Sequence, residues 1–455
     1  MSTPSFFSRE RTVAEPGYNR WLVPPAALAI HLAIGQAYSL SVFNLPMGKM
    51  LGITQPAPGD WPLTRTVWIF SIALAMLGLS AATFGKWMER VGPRLAMFVA
   101  ALCFGGGFLI AALGLHLHQI LLVYFGYGVV GGVGLGLGYI SPVSTLIKWF
   151  PDRPGMATGL AIMGFGGGAL IGSPLATALM EHYRSATSVG VAETFMTMGL
   201  IYLVFMMFGV LVVRVPAAGW KPANWSPSTT PQKLVTSASV SADEAIKTPQ
   251  FWLLWGVLFL NVTAGIGVLS QASPMIQEMF TGRITASAAA GFVGLLSIFN
   301  LAGRFLWSSL SDKLGRKTTY MIYFALGAIL YCVVPQAGKS GSVVLFVASF
   351  AVILSMYGGG FATIPAYLRD MFGTYQVGAI HGRLLTAWSA AALTGPTIVT
   401  YLRAFALKQG ATSAGAYTIT MYIMAGLLVL GFFCNLAVRE VNARHHLTGS
   451  TPKST

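Results

Sequence analysis

Long apolar runs constrain this chain more than any other feature of its sequence. A helix needs about 20 mainly apolar residues to cross a bilayer, and we find twelve runs of about that length. They lie near residues 21–44, 65–86, 95–116, 119–147, 155–180, 195–214, 250–273, 287–310, 318–336, 342–367, 378–402 and 414–438. The runs are too long for barrel strands and do not alternate, so they predict helices. We therefore expect an all-α integral membrane protein with twelve transmembrane helices.

The charge balance indicates orientation in the membrane. Charged residues make up 9% of the chain and the net charge is +15, whereas soluble proteins carry roughly 25% charged residues. With the N-terminus in the cytoplasm, 20 Lys and Arg fall on cytoplasmic segments, 7 in outer loops, and one, Arg304, inside a span. This split follows the positive-inside rule. We expect a multi-pass membrane protein with both termini cytoplasmic and no nucleic-acid partner.

The polar segments suggest how the chain is divided. The first apolar run has full length, so we expect it to remain as the first helix and not to be removed as a signal peptide. The longest polar stretch is rich in proline, serine and threonine, as linkers are. The predicted divisions are a cytoplasmic tail at 1–20, six helices over 21–214, a cytoplasmic linker at 215–249, six helices over 250–438, and a cytoplasmic tail at 439–455.

The two halves resemble each other at a fixed offset of 223 residues. Matching pairs, mostly glycine, proline or charged residues, are Glu89 and Asp312, Gly92 and Gly315, Arg94 and Lys317, Pro142 and Pro365, Gly155 and Gly378, Gly159 and Gly382, and Gly172 and Gly395. Parallel repeats of six helices are a known transporter plan, with the substrate site near the bilayer midplane between the halves. The repeat predicts two pseudo-symmetric six-helix bundles.

One matched pair lies in a recurring loop. Residues 85–94 read G-K-W-M-E-R-V-G-P-R and residues 308–317 read S-S-L-S-D-K-L-G-R-K. Both resemble the signature loop of the major facilitator superfamily, G-x-x-x-D-x-x-G-R-[RK], although Glu89 and Pro93 depart from it in the first copy and the second lacks the leading glycine. The resemblance implies a latch between the halves on the cytoplasmic side. Its predicted gating residues are Gly85, Glu89, Arg90, Gly92, Arg94, Asp312, Gly315, Arg316 and Lys317. The alternative, a positive-inside anchor, explains the bases but not the acids.

A narrower resemblance covers nearly the whole chain. Residues 134–160 read G-L-G-L-G-Y-I-S-P-V-S-T-L-I-K-W-F-P-D-R-P-G-M-A-T-G-L, followed by Y-G-G-G-F-A-T-I-P-A-Y at 357–367 and N-L-A-G-R-F-L-W at 300–307. These segments are similar to the oxalate/formate antiporter family, near the monocarboxylate transporters. The resemblance implies a secondary transporter of small organic anions. A membrane enzyme would need clustered His, Asp or Glu at catalytic spacing, which we do not find. A transporter-like sensor would need a signalling domain.

Arg304 is the strongest candidate for the substrate-binding residue. All thirteen acids lie outside the apolar centres, and a charge in hydrocarbon costs at least about 2.5–3.5 kcal/mol. An unpaired guanidinium there suggests a visiting carboxylate, which its fork of donors fits. The resemblance also implies an anion-binding arginine at this position of helix 8. The alternative is that Arg304 reaches to the cytoplasmic surface.

Two departures from the relatives bear on the substrate. The resemblance places an aspartate at position 300 in proton-coupled relatives and a lysine at position 388 in dicarboxylate exchangers. Here these are Asn300 and Trp388. A dianion would leave one carboxylate unpaired, so we expect a monocarboxylate such as formate, lactate or pyruvate, with oxalate:formate exchange as the alternative. His381 and Arg383 are expected at the cytoplasmic lip, and whether either replaces the lysine stays open.

Further candidates come from the helices that line the centre in this superfamily. Tyr38 and Asn261 are counterparts in the repeat, and so are Phe165 and Trp388. Other candidates for substrate contact, or equally for packing, are Tyr127, Tyr139, Tyr357, Phe361 and Gln271. Histidine is the side chain that ordinarily titrates near neutral pH, so we expect His31 to be either a proton carrier or a hydrogen-bonded core residue. We expect a monomer with no cofactor and no metal site.

Overall fold

The computed structural model describes residues 6–223, 225, 234–236, 238–269, 271–412 and 414–447. The predicted tails and linker therefore fall in part outside the described residues. Within these ranges the chain is helical, and the only extended pairing is an isolated bridge between Val13 and Val215.

Six helices form the N-terminal half. Helix α1 begins as Val23–Ile34 and continues as a 3-10 helix, Gly35–Phe43, and a last turn, Asn44–Met47. The others are α2 (Leu63–Val91), α3 (Pro93–His116), α4 (Ile120–Trp149), α5 (Pro154–Tyr183) and α6 (Val191–Val212). Helix α4 contains a π-helical stretch, Tyr124–Gly131.

Six more form the C-terminal half. Helix α7 consists of Pro249–Leu269 and a shorter segment, Ala272–Met279. It is followed by α8 (Ala286–Leu314), α9 (Arg316–Lys339) and α10 (Val343–Phe372). Helix α11 bends between Val377–Leu384 and Thr386–Lys408, and α12 is Thr418–Ala437.

The predicted twelve-helix fold is confirmed. Eleven helices in the described part of the chain are long and apolar enough to cross a membrane, and the interrupted α1 supplies the twelfth. Its α-helical part ends where Gly35 packs against the backbone of Phe165 on α5. A Cβ at Gly35 would lie 2.8 Å from the Phe165 Cα. Only glycine permits this approach, which brings α1 and α5 together next to the centre of the molecule.

Small residues bring the two halves together along two pairs of helices. Helix α5 packs on α8, and a Cβ at Gly159 would lie 2.7 Å from the Arg304 carbonyl oxygen. Helix α2 packs on α11, and a Cβ at Gly85 would lie 2.7 Å from the Ala379 Cα. Because small residues let helix backbones approach closely, both pairs place the interiors of the two halves face to face.

The outer surface of the bundle is apolar. Leu121, Val204 and Val344 are 73%, 71% and 80% exposed. Large exposed apolar surfaces are rare on soluble monomers, and here they lie on helices of transmembrane length, as contact with lipid requires.

The two ends of the described chain and the described parts of the linker lie on one face of the bundle, which we call the linker face. The Ala14 amide donates to the Val215 carbonyl at 2.9 Å, and the Leu447 amide donates to the Ser239 carbonyl at 2.9 Å. The Val240 amide donates to the Phe372 carbonyl at 2.9 Å, which fixes the linker to the end of α10.

Candidate functional site

Arg304 lies on α8 between the two halves, and its side chain is fully buried. Its Nε donates to the Asn300 Oδ1 at 3.1 Å, one helical turn earlier. Its Nη1 donates to the Ile162 carbonyl on α5 at 3.4 Å, which crosses between the halves. The Nη2 atom has no hydrogen-bond partner among the described residues. The side chain therefore does not reach the surface and keeps donor capacity at the centre of the molecule.

Aromatic rings surround the guanidinium. Its carbon lies 5.7 Å from the Phe165 ring centre and 5.3 Å from that of Phe361. Trp388 contacts both rings, with centroids 5.5 Å from Phe165 and 4.6 Å from Phe361. Cation–π contacts of this kind contribute about 0.5–2 kcal/mol each. The repeat counterparts Phe165 and Trp388 thus meet face to edge, one from each half, and help a buried cation to persist.

Polar atoms without partners converge on the same place. Tyr38 and Tyr139 contact Phe165 with centroid distances of 5.0 and 5.5 Å, and both interact electrostatically with Arg304. Tyr357 contacts Phe361 at 5.2 Å. Within the described ranges, no well-directed hydrogen bond is formed by three hydroxyls and one indole N–H here, those of Tyr38, Tyr139, Tyr357 and Trp388. Because unpaired buried donors are costly, this group favours a ligand rich in acceptors.

Two buried histidines lie on either side of Tyr139. The His31 ring stacks on the Tyr139 ring at 5.2 Å, and its Nε2 lies 3.1 Å from the Tyr139 carbonyl oxygen. Because a carbonyl only accepts, this contact places a hydrogen on Nε2, and Nδ1 has no partner among the described residues. His381 on α11 lies 5.8 Å from Tyr139 between ring centroids. His381 was expected at the lip, but it is buried inside the site.

Acidic groups close to the site are all engaged nearer the linker face. The acids that approach the central helices from that side are Glu89, Asp243, Asp312 and Asp370, and each forms an ion pair with Lys or Arg. Arg304 forms no ion pair in the described part of the chain. No group of three or more potential metal-binding side chains is found among the described residues. The site is therefore positively charged and rich in hydrogen-bond donors.

The second copy of the signature loop joins α8 to α5. The Asp312 carboxylate accepts the Gly155 N–H at 2.8 Å and the Met156 N–H at 2.9 Å. These two N–H groups lie in the first turn of α5, where the positive end of the helix dipole favours an anion. Arg316 pairs with the same carboxylate at 2.6 Å and with Asp370 at 3.0 Å.

The first copy repeats this arrangement between α2 and α11. The Glu89 Oε1 accepts the Gly378 N–H at 3.0 Å, and Oε2 pairs with Lys148 at 2.7 Å. Gly378 is the counterpart of Gly155 in the repeat. Each half therefore caps the corresponding helix of the other half with the acid at the equivalent position. Both predicted acids therefore contact the opposite half on the linker face.

Asp243 adds a contact that the motif does not predict. It lies in a short linker helix, Ala242–Ala245, and pairs with Lys86 on α2 and with Arg383 on α11, the latter at 2.7 Å. Asp243 is thus held by both halves. Hydrogen bonds from Lys86 and then Arg383 lower the pKa of its carboxyl group to about 2. Arg383 does lie at the lip of the bundle, as expected.

The basic ends of both loops act within their own halves. Arg94 donates to the Val213 carbonyl at 3.4 Å, at the end of α6. Lys317 donates to the Leu436 and Val438 carbonyls at 2.7 Å, at the end of α12. These residues join the third and the last helix of the loop's own half. The gating prediction covers both residues, and these hydrogen bonds do not cross between the halves. Their carbonyl partners do not belong to any sequence motif.

The remaining loop residues have simpler positions. Gly92 and Gly315 adopt positive φ values of 88° and 83°, which glycine tolerates best, and each forms the tight turn between two helices. Gly85 contacts α11, and Arg90 is exposed on the linker face.

The other candidates divide into central and distant residues. Asn261 on α7 faces α10, where a Cβ at Gly360 would lie 2.5 Å from its Oδ1. Tyr127 lies inside the N-terminal half, where its hydroxyl donates to the Gln36 Oε1 at 3.1 Å. Gln271 precedes the shorter segment of α7. Tyr127 does not join the group around Arg304, because its hydroxyl is bound inside the N-terminal half.

Two parallel bundles of six helices, with a buried cation between them and contacts on one face, are the plan of a class of membrane transporters. The chain belongs to the Major Facilitator Superfamily, whose family model matches residues 26–396 and 272–453. It is a transporter and not an enzyme.

Several known proteins are similar over most of their length. An uncharacterised MFS-type transporter of Escherichia coli, YhjX, is 26% identical over 382 residues, which covers 84% of this chain and 85% of that protein. The oxalate:formate antiporter of Oxalobacter formigenes is 26% identical over 381 residues, with 83% of each chain covered. Apicoplast pyruvate carrier 1 of Toxoplasma gondii is 26% identical over 443 residues, with 86% of this chain and 78% of that protein covered.

Solved structures show the same fold. The fucose:proton symporter FucP of E. coli superimposes with a TM-score of 0.66 at 13% identity, covering 93% of this chain and all of that one. A second structure of FucP, in the outward conformation, gives a TM-score of 0.65 at 14% identity, with 92% of this chain and all of that one covered.

Proposed function

We propose that this protein transports a small organic anion, a monocarboxylate such as formate, lactate or pyruvate, by alternating access. The observation that carries the proposal is Arg304, a fully buried guanidinium with an unpaired Nη2 and no acidic partner in the described part of the chain. A carboxylate supplies the missing negative charge and accepts two parallel hydrogen bonds from a guanidinium.

The surroundings of Arg304 support a carboxylate over a neutral substrate. Hydroxyl and indole groups next to the guanidinium are donors that form no well-directed hydrogen bond, those of Tyr38, Tyr139, Tyr357 and Trp388. A carboxylate has only acceptors, so it satisfies several of these donors at once. Two relatives support the class, because the oxalate:formate antiporter and the pyruvate carrier are both named for small carboxylates.

The charge at the centre favours a monoanion at neutral pH. Arg304 is the fixed cation there, since Arg383 is engaged with Asp243 at the linker face. Trp388 occupies the space beside Arg304 with an apolar ring. A second carboxylate next to that ring would meet no fixed charge, and an unpaired buried carboxylate is costly.

The contacts on the linker face supply a means of alternating access. Glu89 and Asp312 each bind the first turn of a helix in the other half, so these bonds break when that face opens. We propose that Arg304 holds the anion while the halves rock about it. The excess of basic residues on the linker face supports the placement of that face on the cytoplasmic side of the membrane. The bacterial relatives support a bacterial inner membrane.

Uptake of labelled formate, lactate and pyruvate into proteoliposomes tests the proposal. The wild-type protein should accumulate at least one of the three, and Arg304→Lys should reduce that uptake at least tenfold, because lysine lacks the bidentate fork. Arg439→Lys, at an exposed arginine of the linker face, is the matched control and should transport normally. Normal uptake by Arg304→Lys would overturn the proposal.

Oxalate:formate exchange is the second candidate, because one relative is named for that reaction. Oxalate counterflow into formate-loaded vesicles separates the two. The monocarboxylate proposal predicts that external oxalate exchanges at least tenfold more slowly than external formate at neutral pH.

A further inference from the structure

His381 is a buried imidazole that the proposed function does not use. It lies on the first segment of α11, two helical turns before Trp388, and is 1% exposed. Neither ring nitrogen has a hydrogen-bond partner among the described residues. A neutral imidazole always carries one donor and one acceptor, so both remain available inside the protein.

The position of His381 connects it with Arg304 through Tyr139. The ring centroids of His381 and Tyr139 are 5.8 Å apart, and Tyr139 interacts electrostatically with Arg304. Trp388 contacts the same tyrosine ring at 5.5 Å. His381 and Arg304 therefore reach the same tyrosine, His381 from the side nearer the linker face.

The other charged and titratable groups around His381 are accounted for. His31 on α1 interacts electrostatically with His381 from across Tyr139, and its Nε2 is held by the Tyr139 carbonyl. The charged groups on the elements packed against this part of α11 are already paired with each other, namely Lys86 and Arg383 with Asp243, Lys148 with Glu89, and Arg316 and Arg369 with Asp370. No carboxylate in the described part of the chain pairs with His381.

We propose that His381 is a second anion-binding group of the site, which takes up a proton when the bound molecule carries a second carboxylate. A monoanion then binds over Arg304 alone, and a small dicarboxylate binds over Arg304 and the imidazolium of His381. The inference rests on the proposed function, because it needs Arg304 to hold the first carboxylate.

The charge balance gives the proposal a measurable consequence. The proton comes from water and binds the free ring nitrogen of His381. At pH values above the range in which His381 titrates in the empty site, each dicarboxylate therefore binds together with about one proton. By linkage, the affinity for a dicarboxylate then falls about tenfold per pH unit in that range. The affinity for a monocarboxylate, which binds over Arg304 alone, should change by less than about threefold over the same pH range.

Isothermal titration calorimetry of the purified full chain tests this with pyruvate and oxalate. Titrations between pH 5.5 and 7.5, where oxalate keeps both charges, should be run in two buffers that differ in ionisation enthalpy. We expect about one proton taken up per oxalate near pH 7.5 and none per pyruvate. His381→Gln should remove the proton uptake and weaken oxalate at pH 5.5 at least tenfold more than it weakens pyruvate.

Matched variants identify the group that titrates. His445→Gln, which changes an imidazole bound to Glu244 on the linker face, should leave the proton uptake intact. Oxalate binding without proton uptake would overturn the proposal. Loss of the uptake in His31→Gln but not in His381→Gln would also overturn it, as would pyruvate binding without any oxalate binding at pH 5.5. Failure of the proposed function is distinct, because neither pyruvate, formate nor lactate would then bind.

Discussion

The Asp312 carboxylate and the Gly155 N–H are 2.8 Å apart and belong to opposite halves of the molecule. Their counterparts, Glu89 and Gly378, form the same bond at 3.0 Å on the other side of the pseudo-symmetry axis. Each bond places a negative charge at the N-terminus of a helix, where about 0.3–2 kcal/mol is gained. The linker face is therefore closed by two equivalent contacts.

Weakening one of these contacts should open the linker face. Asp312→Asn removes the charge that two N–H groups of α5 share, and hydrogen bonds to charged groups contribute roughly 1.5–3 kcal/mol. We expect the ratio of open to closed forms to rise about tenfold. Spin labels at the exposed positions 90 and 313 should report a larger population at long distance.

The repeat supplies an internal check on this result. Glu89→Gln should shift the same distance distribution in the same direction, because it weakens the equivalent bond. Lys313→Gln, which changes an exposed residue of the same loop, should leave the distribution of labels placed at 90 and 375 unchanged. An Asp312→Asn protein with the wild-type distribution would contradict the latch.

Asp243 should also stabilise the closed linker face, more weakly and in a way that depends on salt. Its pKa is lowered to about 2, compared with roughly 3.9 in an unfolded chain. A lowered pKa means that the stabilisation is complete at neutral pH and is lost as the pH falls from about 4 through 2. Because the carboxylate is 56% exposed, we expect less than about 1 kcal/mol.

The measurement is the thermal midpoint of wild type and Asp243→Asn in detergent at two salt concentrations. The difference should shrink at 1 M salt, where charges are screened within about 3 Å. A difference that is independent of salt would contradict an ion pair that joins Lys86 and Arg383.

A methyl group added between α5 and α8 should destabilise the folded protein. A Cβ at Gly159 would lie 2.7 Å from the Arg304 carbonyl oxygen, so Gly159→Ala forces the helices apart or strains them, at about 1–3 kcal/mol. A Cβ at Gly106 on α3 would meet nothing within 4 Å, which makes Gly106→Ala the matched control. Thermal unfolding should show a lower midpoint for Gly159→Ala alone.

A carboxylate at position 300 should compete with the substrate. The Asn300 Oδ1 lies 3.1 Å from the Arg304 Nε, so Asn300→Asp would pair the guanidinium within its own helix. We expect at least tenfold weaker binding of a transported monocarboxylate at pH 7.5, with partial recovery at pH 5.5 as the new carboxyl group takes up a proton. Calorimetry at both pH values measures this, and equal affinities in wild type and Asn300→Asp would contradict it.

Much of the fold could be predicted because lipid imposes simple rules. The length of the apolar runs defined the spans, and the 223-residue offset correctly indicated that Phe165 and Trp388 face each other. The offset also placed Glu89 and Asp312 at equivalent contacts. These features depend on chain length and repetition, which the sequence contains directly.

The rotation of each helix was harder to predict. Helices that are apolar all round show no clear inward face, so Tyr127 was grouped with the residues around Arg304 although it lies inside the N-terminal half. His381 was assigned to the lip together with Arg383, two residues later. Residues two apart do not share a helix face, and this spacing is the signal that separates a buried His381 from an exposed Arg383.

The central claim is that Arg304 binds the carboxylate of the transported anion. Calorimetric titration of formate, lactate and pyruvate into wild type and Arg304→Gln, with both proteins shown to be folded by their thermal midpoints, tests it most directly. Our account predicts saturable binding of at least one anion to the wild type and a loss of at least a hundredfold in Arg304→Gln. Equal affinity in both proteins would contradict it.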